Sequence, residues 1–128
     1  FAQKFDFSAV LHQEEGVNTH QQQFNHPFDD NIFEKDVLKE AMTAIKHPEH
    51  PIIIKREIKN IHRSFGALVS GEIAEYYGDT GLKADTIKIN LSGIAGQALG
   101  AFLNNGVSIY LDGVANDYIA KGMHGGKI

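Results

Sequence analysis

The sequence predicts a mainly β fold, a parallel β-helix (solenoid) with coils of about twenty residues, led in by an extended arm and one helix and interrupted by a short helical insertion. Three observations carry this. Residues 87–106, IKINLSGIAGQALGAFLNNG, lie without a gap on residues 107–126, VSIYLDGVANDYIAKGMHGG, and Ile89/Ile109, Leu91/Leu111, Gly93/Gly113, Ala95/Ala115 and Gly106/Gly126 are identical. Each copy opens on alternating apolar residues, the mark of a strand with one buried face, and then reaches a glycine. Of the 13 glycines, all but Gly16 lie at Gly66 or later, so conformations that need a missing Cβ are gathered where the repeat is.

The 128 residues are 42% hydrophobic and 22% charged, which fits one compact domain and excludes a disordered chain. Twelve Lys and Arg face sixteen Asp and Glu, a net charge of −4, which argues against a nucleic acid or an anionic membrane as partner. Apolar runs such as Pro51-Ile52-Ile53-Ile54 are far too short to span a bilayer, and no basic start with an apolar stretch marks a signal peptide, so the expected location is cytoplasmic. Without cysteine the chain offers no disulfide, no thiolate nucleophile and no thiolate ligand for zinc or an iron–sulfur cluster.

Residues 1–30 mix apolar side chains with Gln, His and Asn without a period and read as an extended arm. Residues 31–51 form the helix and proline turn that lead in. Asp29-Asp30-Asn31 supply capping oxygens, and Ile32, Val37, Leu38, Ala41 and Ile45 recur at helical spacing, giving a helix over 31–46. His47-Pro48-Glu49-His50-Pro51 ends it, because proline disfavours helical geometry in the residue before it. Residues 52–128 are the glycine-repeat β-helix. Its first strand runs over 52–61, rich in β-branched residues, and a helix over 68–77 stops at Gly78 before a turn through Gly81. Phe65-Gly66-Ala67-Leu68-Val69 matches Leu99-Gly100-Ala101-Phe102-Leu103, making 53–70 a first coil that the insertion 71–86 separates from the second. Small residues such as Gly93, Gly96, Gly113 and Ala115 form the corners. Lys127-Ile128 opens a further coil, so the chain reads as cut short at its C-terminal end, with an exposed coil prone to self-association.

Candidate chemistry is thin. Gly93-x-x-Gly96-x-x-x-Gly100 with Asp112 on the next strand imitates a phosphate loop, but the spacing is wrong for a dinucleotide fold and corners are the simpler reading. His47-x-x-His50, or His20 with His26, offers two metal ligands at most and no obvious third. Ser64, Ser70 and Ser92 lack a nucleophile elbow. Asn116-Asp117-Tyr118 and Gly96-Gln97 read as polar corner residues. No catalytic, cofactor-binding or metal site is assigned.

Residues 60–128 carry the segments GQALGAFL, GVANDYIAKG and a terminal GGKI, and residues 24–46 carry NHPFDD ahead of a helix. In these the chain resembles the C-terminal glycine-repeat (GXGXG) domain of the glutamate synthase large subunit. The resemblance implies a right-handed β-helix. It also implies a parent enzyme that converts glutamine and 2-oxoglutarate to two glutamates, with the amidotransferase, FMN and iron–sulfur cluster in other domains. This stretch is then a non-catalytic element packed between the amidotransferase and synthase domains. Two alternatives are a subunit of another complex with the same repeat, of the formylmethanofuran dehydrogenase kind, and a stand-alone β-solenoid binding module.

Overall fold

A computed structural model describes residues 6–12, 15–16 and 32–128. Within the expected arm, the amides of Val10 and Leu11 donate to the Phe7 carbonyl and close a turn. The Asp29-Asp30-Asn31 cap and the His20, His26 pair lie outside the described residues.

Helix α1 spans Ile32–Lys46 and buries Val37, Ala41, Ala44 and Ile45, one apolar stripe of a 3.6-residue period. Pro48 then bars His47 from continuing the helix. Strand β1 covers Ile52–Ile58. It stops three residues short of the expected end because the chain turns there: the His62 amide donates to the Lys59 carbonyl, and the Lys59 amide donates to His62 Nδ1. Helix α2, Ala67–Tyr77, ends where the expected Gly78 stands at its C-cap with φ +57°, its N–H donating to Ala74. A single 3-10 turn, Gly78–Thr80, leads on through Gly81.

Strands β2 (Ile87–Ala95) and β3 (Val107–Ala115) pair in parallel, with Ile87 opposite Val107 and Gly93 opposite Gly113, so the register equals the sequence repeat. Strand β1 lies on the far side of β2 with Ile52 opposite Ile87, and the sheet order is β1-β2-β3. The inward residues Ile54, Ile58, Ile89 and Ile109 form one core with Val37 and Ile45 of α1 and Val69 and Ile73 of α2.

The expected right-handed parallel β-helix is not what the chain forms. The described residues hold one open three-stranded parallel sheet and two helices, with a single strand per repeat and no closed coil. Closure would require the residues after each strand to extend into further strands. Instead Ala98, Gly100, Phe102 and Gly106, and their counterparts Tyr118, Ala120, Gly122 and Gly126, all adopt positive φ and fold both return segments into turns. The first pass departs further: Phe65 aligns with Leu99, its carbonyl accepting from Gly100, but the residues after Gly66 become α2. Gly93 and Gly113, expected at corners, lie within the strands instead, which run on to Ala95 and Ala115.

Candidate functional site

The glycines that imitate a phosphate loop serve close backbone stacking. Gly93 has φ +117°, and a Cβ there would sit 2.5 Å from the Ile58 carbonyl oxygen; a Cβ on Gly113 would run into the carbonyl oxygen of Gly93. One on Gly96 would lie 2.6 Å from the carbonyls of Asn60 and His62. Gly93, Gly96 and Gly113 therefore face carbonyl oxygens of the neighbouring pass, the wrong polarity to cradle a phosphate, which requires N–H donors, whereas a Cβ on Gly100 would meet the Ile128 side chain. Asp112 lies exposed on the outward face of β3. The donor set does not fit an iron–sulfur cluster either, since the chain has no cysteine.

The remaining sequence candidates are scattered. His47 Nδ1 and His50 Nε2 lie 3.6 Å and 3.8 Å from the same Glu49 oxygen in the exposed proline turn, and among the described residues no three His, Asp or Glu side chains are grouped to hold a metal ion. Ser70 is buried, and its hydroxyl accepts from the Asn104 amide; Ser64 has φ +52° in a turn; Ser92 is exposed on β2. The polar corner is real as a structure. Asn116 Nδ2 donates to Asn60 Oδ1 at 3.1 Å, the Asp117 amide donates to Asn116 Oδ1, and the Asp117 carbonyl accepts from Ala98. The Gln97 carbonyl accepts from Ser64, so all three passes are tied together here. Lys121 lies over the Tyr118 ring at 5.2 Å.

Two arrangements left no mark in the sequence. Glu34, 1% exposed on α1, accepts at one carboxylate oxygen from the amides of Gly66 (2.7 Å) and Leu68 (2.9 Å), capping α2 from another helix. Asp85 accepts from the Ser108 hydroxyl at 2.7 Å, which holds its carboxyl below the ordinary carboxylate range, with Lys88 and Lys127 reinforcing the direction.

The feature with most functional content is a surface. Inward residues of the second pass, Leu91, Ala95, Leu99 and Leu103, are buried. Their register partners on the third pass are not: Leu111, Ala115 and Met123 are half-buried, and Ile119 is 49% exposed where Leu99 is 1%. Beside them, among the described residues, the outer edge of β3 is bridged only at its start, where Lys127 pairs with Ser108. An apolar layer with an open strand edge is a ready template for further packing.

Among the described residues, no helix is long and apolar enough to cross a membrane. The sequence profile described as the GXGXG motif matches residues 30–128. The chain is 42% identical over 127 residues to the large chain of the NADPH glutamate synthase of Bacillus subtilis, which is 99% of this chain and 8% of that protein. It is 46% identical over 99 residues to the ferredoxin-dependent glutamate synthase of Pyropia yezoensis, covering 76% of this chain and 6% of that one. Over 78 residues it is 45% identical to the NADH glutamate synthase of Schizosaccharomyces pombe, 61% of this chain and 4% of the other. The chain spans less than a tenth of the length of these relatives. With its glycine stacks, repeat register and relatives all in agreement, this chain belongs to the GXGXG family and is a GXGXG domain of the glutamate synthases.

Proposed function

We propose that this domain is a non-catalytic scaffold within a glutamate synthase, packed between the amidotransferase and synthase domains and holding them in register. The flavin and the iron–sulfur cluster then sit in those other domains. One observation carries the reading: the third pass leaves Leu111 and Met123 half-buried and Ile119 half-exposed, although the same positions one pass earlier are core. Apolar side chains at inward positions become useful only when another part of the large enzyme covers them. Their burial fixes the spacing of the domains that contribute the cover, and transfer of ammonia between distant active centres depends on that spacing.

The test is Leu111→Asp in the complete enzyme. The expected result is intact glutamine hydrolysis and intact synthesis from added ammonia, with glutamine-dependent synthesis reduced at least about tenfold because a small misplacement of reacting centres is costly. A variant that couples the two reactions normally, or one that loses a single half-reaction outright, overturns the scaffold reading.

A further inference from the structure

The sheet has a second face, turned away from the helices, whose side chains stand in rows fixed by the register. One row is Lys55, Asn90 and Tyr110, and the next is Glu57, Ser92 and Asp112. Ile53 precedes these rows at 64% exposure, and Ile94 and Val114 flank them on the other side at 55% and 64%. Among the described residues the ion pairs engage other side chains, leaving Lys55, Glu57 and Asp112 as unpaired charges on an open face. A depression of about 530 Å³ lies over them, lined by Lys55, Glu57, Asn90, Ser92 and Asp112 among others. Its rows of opposite character are adjacent, which is the pattern of a self-complementary surface.

We propose that this face is a two-fold contact between two copies of the chain. The register selects the axis. A two-fold axis lying across the strands, between the two rows, sets Lys55 opposite Glu57 of the other copy, Asn90 opposite Ser92, and the Tyr110 hydroxyl opposite Asp112, each pairing made twice. It also lays the aliphatic stem of Lys88 over Ile94 of the other copy. An axis along the strands instead sets Glu57 against Asp112, and like charges across an interface are strongly disfavoured. Facing sheets sit about 10 Å apart, a gap that Lys55 and Tyr110 reach across, while the polar floor of Asn90 and Ser92 suits bridging water. On β3 this surface uses Tyr110 and Asp112, which alternate with Leu111 and point to the opposite side of the sheet, so the inference stands independently of the scaffold reading.

Sedimentation velocity of the complete gene product tests it. Wild type is expected to sediment as a dimer, with association that weakens as salt is added. Lys55→Glu and Glu57→Lys each set like charges opposite one another twice and are expected to weaken association at least about tenfold. The double variant K55E/E57K restores the opposite-charge pairing and should return to within about threefold of wild type. Ser92→Arg puts bulk at the centre of the face and should give monomers, with thermal midpoints confirming that every variant is folded. A monomeric wild type, an assembly indifferent to the single reversals, or a double variant no stronger than the singles overturns the proposal.

Discussion

Glu34 is a charged side chain placed where charge is expensive, and its two hydrogen bonds explain why it is tolerated. The amides of Gly66 and Leu68 open α2 and have no acceptor within that helix, while Gly66, at φ +103°, has no side chain to offer. One carboxylate oxygen satisfies both and places negative charge at the positive end of the helix. Glu34→Ala is expected to cost about 1–3 kcal/mol, the penalty for leaving buried amides unmet, and Glu34→Gln less, since its carbonyl oxygen still accepts. Urea denaturation of the three proteins checks the order. Sequence reasoning found the apolar stripe beside Glu34, because Val37, Ala41 and Ile45 repeat with the helix period. It had no means of finding the cap, whose partners lie more than thirty residues away and are backbone groups.

At the scale of elements the repeat was legible and its closure was not. Alternating apolar residues located β2 and β3, and the twenty-residue period became their register pair for pair. The return segment after each strand is ambiguous in sequence, because small residues permit either a tight coil or a turn, and only the backbone torsions separate the two. Ala98, Phe102, Tyr118 and Ala120 adopt positive φ without being glycine, so composition gives no warning of those turns. Position also decides what each glycine does. Gly113 lies in β3 at φ +156° with its hydrogen facing the Gly93 carbonyl, so Gly113→Ala is expected to lose more than about 3 kcal/mol through strain and forced separation of the strands. Gly71, inside α2 with nothing within 4 Å of an added Cβ, should respond oppositely, with Gly71→Ala gaining about 0.5–1 kcal/mol from helix propensity. Denaturant midpoints of the pair measure both effects, and destabilisation by both substitutions would refute the assignment of separate roles.

For the whole molecule, stability should fall from the first pass to the third, because burial does. The first and second passes enclose Phe65, Leu99 and Leu103 beneath the helices, whereas the third leaves Ile119 half in water. The sequence could not show this gradient, since Leu99 and Ile119 are equivalent in the repeat and differ only in what lies beyond them. Hydrogen exchange reads it directly. The Gly100 amide donates to Phe65 between the first and second passes, and the Ala120 amide makes the corresponding bond to Leu99 between the second and third. Local opening costs less where fewer apolar contacts must break, so in the 128-residue chain Ala120 is expected to exchange at least about tenfold faster than Gly100. In the complete polypeptide a neighbouring domain seated on Leu111, Ile119 and Met123 would have to leave before Ala120 could open, and the difference should shrink or vanish. A gap that persists unchanged in the complete polypeptide means that the third pass stays uncovered there, and the interdomain contact must then be sought on another face.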